Sequence, residues 1–335
     1  MKKLFAIAAV VAVALTSCVK NEVIEPAGNE ITFKDFTLSS KALILPGATA
    51  EEALPTTCTF GAFALYTGSY EAVDTEATHI GNLEVSHNGT DWVYNTTQYW
   101  PTDESRTLDF YAYYPYKADA TWNSAKNTPQ LVGLELGTAL NDQTDWMVSY
   151  PSLGNNKTNA ATGVKIVFKH ITSMLVFKAA DITPEARYQN LVKINKIVVK
   201  QAAYKGNYHT AWHNQGERAN VVVYNNDAGI AVDPAGVDVT SATSNALIVV
   251  PESVQADTEF DVYYTIAESA DRVIHPHSGK VTIKTKALTT TWEPGKKYVY
   301  TINFDLINGT NENLTEIKFV PTVEEWAEVG ADYLI

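Results

Sequence analysis

Two histidines, His209 and His213, stand four residues apart in this sequence and are its best candidates for a metal site. On a helix that spacing would place both imidazoles on one face, where they could bind zinc. A zinc protease would also need a glutamate directly after the first histidine, and none is there. The tyrosine, threonine and tryptophan around the pair favour a non-helical segment. We therefore expect no metal site at these histidines.

Other catalytic motifs are missing from the sequence as well. It contains no G-x-S-x-G nucleophile elbow, no Walker A loop for phosphate and no G-x-G-x-x-G fingerprint. The acidic pairs Glu51–Glu52 and Glu324–Glu325 are more typical of a solvated surface than of the carboxylate pair of a glycosidase. His170 follows an alternating apolar run, which favours a structural role. We expect no enzymatic activity and no cofactor.

One aromatic loop could bind a ligand. In the segment 205–217, Tyr208 and Trp212 stand among polar residues. Exposed rings of this kind present an apolar face and a polar edge, which suits stacking on sugars. One hypothesis is therefore an outer-membrane protein that captures polysaccharide, or another ligand on a host or bacterial surface, through Tyr208 and Trp212. The alternative is a loop that folds back on its own domain.

The first residues have the pattern of an export signal. Lys2 and Lys3 precede an apolar run that ends near Leu15, too short to span a membrane, which takes about 20 residues. The run leads into Leu-Thr-Ser before Cys18, which resembles the lipobox of bacterial lipoproteins. This predicts a signal peptide over residues 1–17, lipidation of Cys18 and a flexible tether over 18–29. Several acyl chains on one cysteine would hold the protein at a membrane.

The charge of the chain excludes some partners. The formal net charge is −13, and it becomes −15 when Lys2 and Lys3 leave with the signal peptide. Nucleic acids and anionic lipid surfaces attract basic faces, and this chain has four arginines in 335 residues. If Cys18 is acylated, Cys58 has no partner for an intramolecular disulfide, so the fold must depend on packing.

The segment 164–177 organises the rest of the chain. Val164, Ile166 and Phe168 alternate with lysines, as in a strand with one buried face. After His170 both parities become apolar, which indicates a strand covered on both faces. The change predicts a bulge or bend over 170–173. We expect this segment to close one domain and lead into the next.

Short strands with polar turns fill both halves of the chain. The first, over 30–38, has apolar residues that change parity near Asp35, which predicts one irregularity. No stretch of ten residues has a persuasive helical period. The pattern predicts an all-β protein with two antiparallel β-sandwiches, over residues 30–181 and 182–335. The remaining predicted strands are 57–66, 91–100, 108–116, 142–151, 191–201, 219–224, 246–251, 259–267, 279–286, 291–306 and 316–320.

Several segments, taken in order, resemble the fimbrillin family of Bacteroidetes, the subunits of type V pili and their lipoprotein relatives. They are the lipobox at Cys18, Tyr99-Trp100-Pro101, Leu108–Pro115, Asp145-Trp146-Met147, Phe168-Lys169-His170, Leu175-Val176-Phe177, Leu247–Pro251, Trp292–Tyr300 and Ile317–Trp326.

The resemblance implies two transthyretin-like β-sandwich domains in tandem and export as a surface lipoprotein of the outer membrane. It also implies polymerisation with other fimbrillin subunits by strand exchange, as a pilus subunit or tip component. In that mechanism a protease removes the first strand, and a C-terminal strand of the next subunit fills the groove. The donor candidates are Ile317, Phe319, Val323 and Trp326. The alternative is that this strand pairs within its own domain.

One feature departs from the family. In the pilins the cut follows an arginine between the first two strands, whereas this sequence has no arginine before Arg106. Lys41 lies at the corresponding place, but an arginine-specific protease should not accept it. Either a different protease acts at Lys41, or the first strand stays in place.

Overall fold

A computed structural model describes residues 29–38, 54–67, 78–241, 245–307 and 316–325. The signal peptide, Cys18, most of the tether, Lys41 and Trp326 lie outside these ranges. In the described part of the chain, no helix has the length and apolarity needed to cross a membrane.

Strands dominate the described residues, which confirms an all-β fold. In chain order they are β1 (Phe33–Leu38), β2 (Thr59–Tyr66), β3 (Thr78–His87), β4 (Trp92–Val93), β5 (Leu108–Tyr114), β6 (Thr121–Asn123), β7 (Thr128–Glu135), β8 (Met147–Ser149), β9 (Ser152–Asn155), β10 (Val164–His170), β11 (Ser173–Asp181), β12 (Val192–Ala203), β13 (Lys205–Tyr208), β14 (Trp212–His213), β15 (Arg218–Ala231), β16 (Val237–Asp238), β17 (Leu247–Val249), β18 (Glu252–Ser253), β19 (Glu259–Ile266), β20 (His277–Lys284), β21 (Thr291–Trp292), β22 (Lys296–Asp305) and β23 (Glu316–Glu325). Short 3-10 helices occur at Leu140–Asp142, Lys157–Ala160, Ala186–Tyr188 and Thr285–Ala287.

The first half of the chain closes on itself. Its strands pair in the order β2-β3-β4-β1-β10-β8-β5, and β5 pairs again with β2. The result is a ring of seven strands, with β9 attached beside β5. Closing a sheet in this way leaves its strands without free edges. The apolar core of the ring includes Phe33, Phe60, Phe110 and Phe168.

The second half packs two sheets face to face. One contains β16, β11, β22 and β23 in that order, with β17 beside β11; the other contains β15, β12, β19 and β20. Alternate residues of both sheets meet in one core, among them Phe177, Ile197, Phe260 and Tyr300. This is the arrangement of a β-sandwich.

The expectation of purely antiparallel sheets is wrong at two places. β1 runs parallel to β10, and β11 runs parallel to β22. In each half the first strand therefore lies beside a strand from the end of the same half. A parallel pair needs a long connection, and here the intervening strands supply it.

The central segment has the predicted form. β10 belongs to the ring, β11 belongs to the second half, and the strand is interrupted at Ile171 and Thr172. Met174 and Val176 face a cluster between the halves, whereas Leu175 and Phe177 face the core of the second half. The strand is therefore covered on both faces, as its sequence predicts.

The two halves share packing. A third apolar cluster combines side chains such as Phe63 and Leu134 of the first half with Met174 and Ile248 of the second. One small sheet also crosses between them, because β7 pairs with β13. The Gln143 side chain donates to the carbonyl of Ile248 at 3.2 Å and accepts from its N–H at 2.9 Å. The halves are thus joined by both apolar and hydrogen-bonded contacts.

Replacing Gln143 with leucine should weaken this connection. The substitution leaves the buried N–H and carbonyl of Ile248 without their side-chain partner, which costs about 1–3 kcal/mol. We expect the midpoint of urea unfolding to fall accordingly. Gln255→Leu is the matched control, because Gln255 bonds an exposed carbonyl two residues away. Equal effects of the two substitutions would contradict this role.

A second buried interaction makes stability depend on pH. Arg218 contacts both oxygens of Glu252, which is nearly buried, and donates to the carbonyl of Gln201 at 2.8 Å. Burial raises the pKa of Glu252, and Arg218 opposes that rise. The pKa of Glu252 is higher in the folded state than in the unfolded state. The contribution of Glu252 to stability therefore declines as pH rises through the interval between these two pKa values.

Removing the arginine should make this decline steeper. In Arg218→Met the pKa of Glu252 rises further, and the buried carboxylate loses its charged hydrogen bonds, at about 1.5–3 kcal/mol near pH 7. We expect the difference in stability from the unsubstituted protein to shrink as pH falls towards 4.5, the ordinary pKa of a glutamate side chain. Chemical unfolding at several pH values measures it, and a difference independent of pH would contradict it.

Candidate assembly site at the first and last strands

β1 and the residues just before it supply part of the ring core. Ile31, Phe33 and Phe36 are buried, at 0%, 2% and 5% exposure. The pairing of β1 with β10 shifts by one residue between Phe33 and Phe36, which is a β-bulge. The bulge lies where the apolar parity of the sequence changes, so the predicted irregularity is confirmed. It allows both parities of β1 to face the same core.

Phe33 lies in an aromatic pocket. Its ring meets those of Phe60, Tyr94 and Phe110 nearly at right angles, with centroids 5.9 to 6.2 Å apart. Edge-to-face contacts of this kind add to the free energy gained by burying the area. The pocket therefore prefers a phenyl ring.

Main-chain groups of the two residues that precede β1 hold this end of the strand on both sides. Towards β10, the N–H of Val164 donates to the carbonyl of Thr32 at 2.7 Å. On the other side, the N–H of Ile31 donates to the carbonyl of Gln98 at 2.8 Å, and the Tyr94 hydroxyl donates to the carbonyl of Ile31. None of these bonds depends on the side chains of β1. Another strand with the right apolar spacing could form them too.

The contact between β1 and β4 is short. Among the described residues the two strands pair at one position, where Phe33 lies opposite Trp92. A surface cavity of about 390 Å³ opens beside it, lined in part by Glu30, Thr32 and Tyr94. The ring is thus joined loosely at this seam.

β23 lies at the edge of a sheet in the second half. It pairs antiparallel with β22 over all ten of its residues. Ile317, Phe319 and Val323 are in register with Phe304, Ile302 and Tyr298, which are buried. Val320, which lies between two of them, is 48% exposed. In the isolated chain this strand pairs within its own domain, which was the alternative to donation.

The comparisons with known proteins agree with this architecture. The model of the Fimbrillin-like family matches residues 48–326, most of the chain. The chain belongs to the fimbrillin-like family. This confirms the resemblance drawn from the sequence motifs.

Solved structures share the fold of this fimbrillin-like chain at low identity. A fimbrial protein from Bacteroides vulgatus has a TM-score of 0.62 and 16% identity, over 89% of this chain and 99% of that one. A candidate cell adhesion protein from Bacteroides uniformis has a TM-score of 0.54 and 18% identity, over 90% and 100%. One from Parabacteroides distasonis has 0.53 and 12%, over 91% and 99%. Among curated protein sequences, none is similar enough to count as a match.

The aromatic loop of the fimbrillin-like chain folds inward. Tyr208 is 7% exposed and lies in the cluster between the halves, with the Trp212 ring 5.9 Å away. The indole N–H of Trp212 donates to the carbonyl of Ile171. Burial raises the pKa of Tyr208 to about 12. Tyr208 therefore packs on its own protein, and Trp212 is partly buried beside it.

His209 and His213, the two histidines with metal-site spacing, lie close together in the fold of the fimbrillin-like chain. His209 and His213 lie on the β13–β14 hairpin, with ring centroids 4.3 Å apart. Partial burial, followed by the nearby His213 and Lys126, lowers the pKa of His209. Within the described ranges, no three His, Cys, Asp or Glu side chains come together in a way that could hold a metal ion.

One buried pair, formed by Asp145 and His170, was not expected from the sequence. His170 Nδ1 lies 2.6 Å from Asp145 Oδ2, and the Thr172 hydroxyl donates to the other oxygen of Asp145 at 2.6 Å. The two side chains of the pair are 1% and 0% exposed. Asp145 contacts both His170, at the end of β10, and Thr172, which lies between β10 and β11. The pair therefore fixes the bend between these two strands. Each member lies in a motif that carried the family resemblance, and this was the available signal.

Proposed function

We propose that this chain is a structural and adhesive subunit of a surface fimbrium, assembled with other fimbrillin subunits by strand exchange. Export as a lipoprotein anchored through Cys18 would bring it to the outer membrane. Cleavage between β1 and β2, with Lys41 as the candidate site, would then free the first strand. The proposal includes two transthyretin-like domains in tandem. Their expected bounds are residues 30–181 and 182–335, and the pairing of β11 with β22 supports a boundary before Ser173.

The observation that carries this proposal is the position of β1. Its buried side chains complete the core of the ring, yet it lies near the N-terminus and is held by main-chain bonds that another strand could form. Removing β1 would leave an apolar groove with β10 along one side. A groove of this kind gains most from a strand that supplies both ladder bonds and alternate apolar side chains.

The second observation is the strand at the other end of the chain. β23 is a ten-residue edge strand with apolar residues at alternate positions, and it follows a connection from β22. Ile317, Phe319 and Val323, together with Trp326, are the donor candidates. Edge strands of this length tend to pair with other chains.

Surface protein provides the test. Native protein should show a ladder of oligomers on detergent gels when it is not boiled, and deletion of residues 314–335 should remove the ladder. Substitution of Ser for Cys18 should abolish labelling with radioactive palmitate. Monomers in both the full and the truncated protein would contradict polymerisation, and a labelled Cys18→Ser protein would contradict the anchor.

A further inference from the structure

The segment 30–38, which contains β1, is similar in sequence to the first part of β23. Glu30-Ile31-Thr32-Phe33 corresponds to Glu316-Ile317-Lys318-Phe319. If one residue of the first segment is skipped after Phe33, Phe36-Thr37-Leu38 corresponds to Pro321-Thr322-Val323. Glutamate, isoleucine, one phenylalanine and one threonine are then identical, whereas Thr32 corresponds to Lys318, Phe36 to Pro321 and Leu38 to Val323.

The skipped residue falls at the bulge of β1. Phe33 is paired with Val164, and Leu38 with Phe168, so five steps along β1 cover four steps along β10. The steps from Phe319 to Val323 number four. A strand without a bulge would therefore place these two residues opposite the same two partners.

We infer that the C-terminal strand of a second copy replaces β1 in one defined register, parallel to β10. Phe319 lies opposite Val164 in the aromatic pocket of Phe33, Ile317 takes the place of Ile31, and Val323 lies opposite Phe168. This inference rests on the proposed strand exchange and specifies its partner residue by residue.

The proline of the donor is compatible with this register. The N–H of Val164 donates to the carbonyl of Thr32, so the main-chain N–H and C=O of Thr32 point towards β10. The main-chain groups of the next residue, Phe33, point away from β10. In a strand without a bulge, these directions alternate. Pro321 would then direct its nitrogen towards the β4 side, where β1 pairs with β4 only at Phe33 among the described residues. The missing N–H of Pro321 costs no ladder bond there.

Cysteine pairs can test the register on assembled protein. The acceptor position is Lys165, which is exposed and follows Val164. In the inferred register it lies opposite Val320. Strand spacing places correct partners about 5 Å apart and residues two positions away about 8 Å apart, beyond the reach of a disulfide. Lys318 and Thr322 are the flanking donor positions.

The experiment uses residues 19–335 with Cys58→Ser and a specific protease site replacing residues 41–46. After cleavage and assembly, Lys165→Cys is combined with Val320→Cys, Lys318→Cys or Thr322→Cys and oxidised. On boiled non-reducing gels we expect about tenfold more cross-linked dimer from the Val320→Cys pair, since the other two exceed disulfide geometry.

The outcomes separate the register from the assembly. A ladder on unboiled gels with dominant cross-linking at Lys318→Cys or Thr322→Cys, or with equal cross-linking at all three, would overturn the register while strand exchange stands. No ladder in the cysteine-free parent would overturn both. Phe319→Ala should also remove the ladder, whereas Val320→Ala should keep it; the reverse would overturn the inference.

Discussion

Replacing Phe33 with alanine should lower the free energy of unfolding by about 3–5 kcal/mol, the usual cost of removing a buried phenyl ring. Phe33 is 2% exposed and contacts three other aromatic rings. The substitution would remove the contacts of the phenyl ring with three neighbouring aromatic rings of the ring core. Urea unfolding followed by fluorescence measures the loss.

Two controls make this result specific. Phe33→Leu keeps much of the volume and should cost less than the alanine substitution. Leu153→Ala removes a side chain that is 65% exposed, and exposed positions usually change stability by less than about 0.5 kcal/mol. If Phe33→Ala cost no more than Leu153→Ala, β1 would not be part of the core.

Breaking the buried pair of Asp145 and His170 should have an effect of similar size. In Asp145→Ala the imidazole of His170 and the hydroxyl of Thr172 lose their shared carboxylate in a site without access to water. Each buried polar group that loses its partner costs about 1–3 kcal/mol, and here two groups lose theirs. Thermal unfolding of the purified protein should show a large fall in Tm.

The matched control is an exposed pair in the same half. Lys157 and Glu104 also form a salt bridge, but solvent surrounds both side chains. Glu104→Ala should change the free energy of unfolding by less than about 1 kcal/mol. Asp145→Asn keeps the shape and a partner for Thr172, so it should cost less than Asp145→Ala. Similar losses for Asp145→Ala and Glu104→Ala would contradict a structural role for the buried pair.

Local patterns in the sequence predicted the elements whose burial is regular. The strand at 164–177, its break near His170 and its doubly covered second part all follow from the parity of apolar residues. The irregularity of β1 follows from the same reasoning, because a change of parity within a strand requires an extra residue. The turn before β4 places Gly89 at a φ of +104°, which glycine adopts at no steric cost.

Pairings between distant segments could not be predicted. β3 and β7 were missed, since glycine, asparagine or proline interrupts their alternation. The predicted strand at 91–100 is reduced to the two residues of β4, because its later residues form the irregular seam beside β1. The parallel pairs and the sheet shared by the halves depend on contacts between residues 70 or more positions apart, such as that between Leu131 and Tyr208. Parity alone does not encode these contacts.

The candidate site was partly visible in the sequence. The similarity of Glu30–Phe33 to Glu316–Phe319 can be seen by inspection, but the bulge that aligns the rest of the two strands requires the register with β10. The aromatic loop shows the opposite case. Polar neighbours suggested that Tyr208 and Trp212 are exposed, whereas packing between the halves buries Tyr208 and partly buries Trp212. Flanking polarity reports local composition and not the position of a loop in the fold.

Sequencing the N-terminus of subunits recovered from the surface ladder tests the central claim most directly, because strand exchange requires that the first strand has left. We predict that each polymerised subunit begins after Leu38 and before Leu54, with Lys41 as the expected end of the released piece. Subunits of a detergent-resistant ladder that are blocked at Cys18 and still contain residues 30–38 would contradict it.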